Sequence, residues 1–467
     1  MKRNRYIKYM ASVLFLFGIV SEAHAQTTPA SLEVLKEKSL WFNSSNAAGL
    51  LLDNPIKYSS ANISYENVGG NFHRPQVGAK ENNLSFATEG SLIFNDVYAW
   101  GDFNYSRKST KDALYNASII DPFRGMPYMV ADTNSSDWNY QFYDLSFKVS
   151  TNKFNKNIFL GLEGKYEAHG AAKQRDPRTE NNSYQLTLNP SVVFVINEKH
   201  NIGFNVKYYN FKEESSMDNS NTYVYQTYYS LYGLGRAVER VGLGYKSNYM
   251  ADSWGGGLHY NYKDDSWNVL LSSNYNYKVE DLTISFTIPR DDGTVKDGIW
   301  NTKLQLLKED GSFGHHFVAE YTERDIDGIE YITEYDSDIN NPGYKVLHKD
   351  IRSTYKTEEV KLDYDLSLNR GNEYSWKAGI GLKYKKQDDT YLLPRSVKNY
   401  ETLALQVRGK RNVFLSNELT RRLLIGADLS ISSSMSGKYE YNGGYANYAT
   451  VTRFETSDLN YLITDFY

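Results

Sequence analysis

The stretch Val360-Lys361-Leu362-Asp363-Tyr364-Asp365-Leu366-Ser367-Leu368, the turn Asn369 to Glu373, and Trp376-Lys377-Ala378-Gly379-Ile380-Gly381-Leu382-Lys383-Tyr384 decide the fold. Apolar and polar residues alternate strictly on both sides of a tight turn. That is the period of a strand with one apolar and one polar face, and the pair reads as an antiparallel hairpin. The same pattern recurs at 143–150, 160–167, 202–208, 267–277 and 423–431.

Connection lengths order these strands. Short turns fall at Asn95 to Asp96, Thr151 to Lys156, Asn197 to Lys199, Asp264 to Ser266, Glu309 to Gly314, Asn369 to Glu373 and Ser416 to Thr420. Between them lie long connections at 67–82, 108–139, 169–182, 211–253, 279–298, 324–355, 386–399 and 434–458. Strict alternation of short and long connections predicts an all-β, transmembrane, antiparallel up-and-down β-barrel with short periplasmic turns and long extracellular loops. The strands number sixteen, from 58–66 to 459–467, within a range of 14 to 16; a further hairpin is possible at 223–232. A β-sandwich also alternates, but it lacks the regular short/long rhythm. Outward aromatic residues near strand ends (Tyr65, Tyr105, Tyr166, Tyr208, Tyr384) suit membrane-interface girdles.

Composition agrees and excludes other classes. The 467 residues include 41 Tyr and no Cys, which rules out disulfide staples and thiolate metal sites. An aromatic content of 15% argues against disorder. The mean hydropathy of −0.59 looks soluble only because it averages two faces. At the N-terminus, Lys2, Arg3, Arg5 and Lys8 precede the apolar run Met10 to Val20 and the small-x-small site Ala23-His24-Ala25, the pattern of a secretory signal peptide over 1–25. Its removal shifts the formal net charge from −4 to −7, a balance that suggests no nucleic-acid partner. Residues 26–57 do not alternate; Leu32, Leu35 and Leu40 among charged residues suggest a short helix in a periplasmic or plug segment, followed by the barrel at 58–467.

Three short motifs carry a family resemblance: Trp41 with Asn46-Ala47-Ala48-Gly49-Leu50, Asp121-Pro122-Phe123-Arg124-Gly125, and Asp176-Pro177-Arg178. With the strand pattern, the chain resembles an uncharacterised family of outer-membrane β-barrels of Bacteroidota, of the kind found with TonB-dependent transport systems. The resemblance implies the outer membrane of a Gram-negative bacterium, lipid contacts, and an accessory role beside a TonB-dependent transporter or surface lipoprotein. A stand-alone porin-like or substrate-specific channel is the alternative.

Charged residues predicted to face inward (Lys148, Glu163, Lys165, Glu167, Lys207, Lys303, Glu320, Lys361, Asp363, Asp365, Lys377, Lys383, Asp428) mix both signs. A selective pore would show a ring of one sign, so a paired network is expected. Two connections stand out. The segment 108–139 is rich in Ile, Met, Pro and aromatic residues, so it should fold into the lumen or onto a partner; 211–253 is rich in Tyr, which either stacks on a partner or extends strands. Candidate lumen or partner contacts are Trp41, Phe123, Arg124, Tyr128, Arg178, Tyr225, Tyr228 and Tyr229. The seven His beyond the leader are scattered, and adjacent His315 and His316 point to opposite faces. The acidic run Asp325 to Asp338 lacks calcium-loop spacing. No catalytic residues, cofactor or metal are therefore expected, and an outer-membrane hydrolase is the least favoured reading.

Overall fold

The computed structural model describes residues 28–70, 73–234, 236–242, 244–285, 288–338, 342–415, 421–442 and 463–466. One antiparallel sheet of 16 strands dominates it: β1 (Tyr58–Gly69), β2 (Lys80–Phe94), β3 (Val97–Ala113), β5 (Ser136–Asn155), β6 (Ile158–Lys173), β7 (Arg178–Val195), β8 (His200–Asp218), β11 (Tyr245–Lys263), β12 (Trp267–Ser285), β13 (Pro289–Asp310), β14 (Phe313–Asp336), β15 (Gly343–Arg370), β16 (Glu373–Leu392), β17 (Arg395–Phe414), β18 (Arg422–Glu440) and β19 (Ile463–Phe466). Each strand of this sheet pairs with the next in that order, giving the up-and-down topology of a transmembrane barrel. The edge strands are β1 and β19, with no ladder between them among the described residues. Three shorter strands, β4 (Tyr128–Ala131), β9 (Gln226–Tyr232) and β10 (Ala237–Gly242), form a second sheet in the order β10-β9-β4.

The β15–β16 hairpin has the register its sequence demands. Val360 faces Tyr384, Leu362 faces Leu382, Tyr364 faces Ile380 and Leu366 faces Ala378, with Lys361, Asp363 and Asp365 paired on the other face. Apolar partners therefore share one surface, and slipping the pairing by one residue would invert both faces. At the β2–β3 turn, Asn95 and Asp96 both hold positive φ, 45° and 63°, as a two-residue hairpin with right-handed strand twist requires.

The polarity of the two faces is inverted relative to a soluble protein. Leu145, Leu162, Phe204, Leu258, Leu382 and Ile425 are exposed on the outside, whereas Ser150, Asn189, Asn205, His259 and Asn261 are buried on the inside. On β3, β6, β8, β12 and β14, an outward Tyr (Tyr105, Tyr166, Tyr208, Tyr275, Tyr321) sits eight residues in from the first residue of the strand. Eight residues span about 26 Å along a strand, roughly 20 Å of height after a tilt of ~40°, comparable to the ~25 Å apolar band of such barrels. Cross-strand ring pairs reinforce this level, with centroids 4.9 Å apart for both Tyr105–Tyr143 and Tyr208–Trp254.

The connections at the extracellular end are largely strand. The stretches expected as loops at 169–182, 279–298, 324–355 and 386–399 are mostly strand: β6 runs to Lys173 and β7 starts at Arg178, β12 runs to Ser285 and β13 starts at Pro289, β14 runs to Asp336 and β15 starts at Gly343, and β16 runs to Leu392 and β17 starts at Arg395. β14 has 24 residues and β15 has 28, against the ~9–11 that a tilted strand needs to cross a bilayer. Above the membrane both faces meet water, so the apolar alternation fades while the backbone ladder continues. The acidic run from Asp325 belongs to β14 and pairs with β15. Among the described residues, the long excursions that remain lie within 73–79, 114–135 and 219–242; in 223–232, where a hairpin is expected, there is one strand, β9, which pairs with β10 and belongs to the second sheet.

Candidate functional site

Sets of inward apolar residues interrupt the polar lumen at both ends, and the chain's own segments pack on them. Phe159, Val193 and Leu270 form one set near the short turns, against Leu40, Trp41 and Ala48 of the N-terminal segment. That segment begins with helix α1 (Pro29–Lys38), whose Thr28 side chain accepts from the Ser31 amide while the Ser31 hydroxyl accepts from the Thr28 amide, with Pro29 opening the first turn. A 3-10 helix (Ala47–Asp53) follows, capped by Asn46. Asn46 Nδ2 also donates to the Phe204 carbonyl at 3.1 Å, Ser150 Oγ to Ala48 at 2.7 Å, and Lys148 Nζ to Phe42 at 2.7 Å. Gly161 has no room for a side chain, because a Cβ there would lie 2.2 Å from the Ala48 nitrogen.

Charge ties α1 to four strands. Lys36 pairs with Glu89 at 2.6 Å, Lys410 with Glu33 at 2.7 Å, Lys38 with Glu309, and Lys377 with Glu37. Burial alone would raise the Glu37 carboxyl, but His316 and Lys377 outweigh it and hold the carboxyl down to about 2. Asp53 shows the opposite balance. Burial pushes its carboxyl up to about 7 against the Phe42 and Trp41 amides.

At the extracellular end, Tyr249, Ala251, Leu282, Val295 and Ile326 form an inward apolar set, against the three-stranded sheet of β4, β9 and β10. Two connections about a hundred residues apart build this lid together: Met129 pairs with Leu231, and Val130 with Ser230. Arg124 pins it. Its guanidinium lies 3.0 Å from both Glu213 and Glu280, is flanked by the rings of Phe211 (4.9 Å) and Tyr249 (4.7 Å), and its carbonyl accepts from Arg324 at 2.6 Å. Burial would lower the Arg124 pKa, but Glu280 and Glu213 hold it above its ordinary value. Asp176 joins a third connection to the lid by accepting from the amides of Ser220 (3.1 Å) and Asn221 (2.9 Å).

Between the N-terminal segment and the lid, the wall of β15–β18 keeps open volume. A cavity of about 300 Å³ is lined by Asp365, Lys377, Gly379, Arg408, Lys410 and Asp428. Arg408 grips Asp365 through two nitrogens (2.8 and 2.7 Å) and Asp363 through a third contact (2.9 Å). Below it, a groove of about 870 Å³ runs between α1 and the short turns at Asp264 to Ser266 and around Gly371. Lys377 and Lys410 line the upper space and Glu37 the lower, so the α1 ion pairs stand between them.

The predicted contact residues divide into groups. Phe123, Arg124, Tyr128, Tyr228 and Tyr229 come together in and around the lid, while Trp41 is buried at the opposite end beside His259, with ring centroids 6.0 Å apart. Arg178 sits at the start of β7, 3.3 Å from Asp176, and Tyr225 is exposed. The Tyr-rich segment is thus no continuous stacking surface: Tyr223 and Tyr225 are exposed, but Tyr228, Tyr229 and Tyr232 are buried in β9. Sequence reasoning missed the acidic partners Glu213 and Glu280, which lie far from Arg124 along the chain. It also missed two mixed groups, Glu37/His316/Asp365 and Asp144/Glu167/His169, whose donor atoms lie within 4.8 Å of one another. In the first, Glu37 and Asp365 are already engaged by Lys377 and Arg408.

Residues 47–467 match the family described as "Family of unknown function (DUF6850)". The chain belongs to this family. No curated protein sequence matches it. Similar solved structures include the ferric yersiniabactin uptake receptor of Yersinia pestis, at 7% identity over 81% of this chain and 67% of that chain, TM-score 0.39. Others are a siderophore receptor of Acinetobacter baumannii (8%, 80% and 72%, 0.37) and the ferripyoverdine receptor of the Pseudomonas aeruginosa outer membrane (11%, 82% and 62%, 0.36). This chain spans about two thirds of the length of these receptors.

Proposed function

We propose that this DUF6850 chain is exported by its first 25 residues and acts in transport across the outer membrane of a Gram-negative bacterium, as a barrel closed at rest. One observation carries the reading: segments of the chain pack on inward apolar residues at both ends of the wall, each held by ion pairs. A passive porin gains nothing from two stoppers. A component that opens on engagement with a TonB-dependent transporter or surface lipoprotein does, and residues 28–57, at the periplasmic mouth, are positioned to be moved. Reconstitution in planar bilayers tests this. The full chain should conduct little, and deleting residues 28–57 should raise conductance at least several-fold. Porin-like conductance of the intact chain overturns the closed-barrel reading. Pull-down from native membranes separates the roles, because a stoichiometric transporter or lipoprotein supports the accessory role and its absence favours a stand-alone, substrate-specific channel.

A further inference from the structure

On the inner face of the wall, Asp144 and Glu167 stand directly opposite each other across the β5–β6 ladder, and Phe142 stands opposite His169 on the next rung of the same face. Like charges set opposite each other across a ladder are destabilising, so this pair of carboxylates calls for a cation. The surroundings hold the three side chains in place. His169 Nε2 lies 2.9 Å from Asp144 Oδ1, and Asn104 Nδ2 of the neighbouring strand β3 donates to Asp144 Oδ2 at 3.2 Å. The Phe142 ring meets the imidazole edge to face, with centroids 4.8 Å apart, which fixes the plane of the ring. Glu167 makes neither a hydrogen bond nor an ion pair among the described residues.

The group is reachable and its charge favours a cation. The Asp144 side chain is 28% exposed and that of His169 16%. Asp102 acts on Asp144 from β3, while Lys165 and Lys207 oppose the two acids, so three carboxylates face two ammonium groups beside a neutral imidazole. Four residues along β5 from Asp144, about 13 Å, Lys148 holds the Phe42 carbonyl of the N-terminal segment. In the other direction Phe142 packs on the same set as Ile120 of the second connection. The group therefore lies between the N-terminal segment and the lid.

We propose that Asp144, Glu167 and His169 bind a first-row divalent transition-metal ion, with zinc(II) as the reference ion. Three protein ligands of nitrogen and oxygen, with a further position left to water, make the pattern of an open zinc site, and the imidazole disfavours calcium and magnesium, which take oxygen ligands. An ion about 2.0–2.2 Å from each donor requires donors roughly 3.0–3.5 Å apart. The three donor atoms already lie within 4.8 Å of one another, and the unbonded Glu167 side chain supplies the remaining movement. On binding, the His169–Asp144 hydrogen bond is exchanged for two bonds to the ion, the imidazole keeps its proton on the nitrogen turned away, and Asn104 continues to orient Asp144. This binding does not depend on the transport reading.

Competition against a chromogenic zinc chelator tests the site, using the full chain without a histidine tag, in detergent, after treatment with EDTA. One zinc ion should bind per chain, copper(II) at least as tightly, and calcium and magnesium at least about 100-fold more weakly. His169→Gln and Glu167→Gln should each weaken zinc binding by at least about 100-fold, and Asn104→Ala, which removes a hydrogen bond to a ligand, by about 10-fold. Heat modifiability checks that each variant is folded, and Glu167→Gln removes no described hydrogen bond or ion pair. With copper(II) bound, electron paramagnetic resonance should show nitrogen coupling that His169→Gln removes. No zinc binding at about 100 μM free ion, equal affinity for calcium, or wild-type affinity in either the His169 or the Glu167 variant overturns the site. Binding that survives His169→Gln and is lost in His316→Gln also overturns it, because the ion then belongs to the Glu37/His316/Asp365 group.

Discussion

Arg124 holds the lid to the wall through two buried carboxylates, Glu213 and Glu280. Arg124→Met would leave Glu213 and Glu280 facing each other without their cation, although Lys278 still reaches Glu280 at 2.9 Å. Removing one partner from a buried charge cluster costs about 3–5 kcal/mol. The expected outcome is a lid that detaches in an intact barrel, read as rapid protease cleavage within 114–135 while the heat-modifiable electrophoretic shift persists. Arg124→Lys should be intermediate, since a point charge cannot bridge two carboxylates in the manner of a planar guanidinium. Glu37 makes the corresponding pH prediction for the N-terminal segment. Its folded carboxyl is held at about 2, below its usual 4.5, so its contribution is complete above pH ~4.5 and is lost as pH falls toward 2. The full shift corresponds to roughly 3 kcal/mol. Hydrogen exchange over residues 28–57 should therefore accelerate between pH 5 and pH 2.5 beyond its intrinsic trend, and Glu37→Gln should abolish that excess. An identical excess in the variant would assign the effect to another group.

At the level of elements, the N-terminal segment depends on a surface shaped to receive it. Gly161 leaves the gap that Ala48 enters, and Gly203 does the same for Asn46, where a Cβ would lie 2.7 Å from Nδ2. A strand accepts Leu readily, so Gly161→Leu should spare β6 and displace the 3-10 helix, an overpacking penalty of about 1–3 kcal/mol. Raised bilayer conductance with unchanged heat modifiability is the expected result; unchanged conductance would mean that the 3-10 helix does not obstruct the lumen. The sequence contained the signal for this docking in a form that alternation alone conceals. Phe159, Val193 and Leu270 occupy the same parity as the polar lumen residues, and so do Tyr249, Ala251 and Leu282 higher up. Apolar residues on a water-filled face need a cover. By contrast, the pairing of β4 with β9 left no local trace, because about a hundred residues separate them and four-residue strands carry too little periodicity to specify a partner.

For the whole molecule, the alternation in 360–384 was enough to read the topology, since one apolar face repeated sixteen times admits few architectures. It could not show where the membrane stops. Strands run on into water, where the lipid no longer selects apolar residues, and the outer parts of β14 and β15, within 324–355, therefore read as a loop. Tryptophan fluorescence in lipid tests the inversion of faces directly. Trp254 (63% exposed) and Trp300 (54%) project outward at the level of the tyrosine girdle, whereas Trp41 and Trp138 are sealed inside at 1% each. In bilayers of lipid brominated near the headgroup, Trp254→Phe and Trp300→Phe should each remove part of the quenchable emission, and Trp41→Phe should leave the quenched fraction no smaller. A soluble sandwich with the same alternation would bury Trp254 and Trp300 away from any lipid, so loss of quenching confined to the Trp41 variant would refute the barrel itself, whatever its cargo.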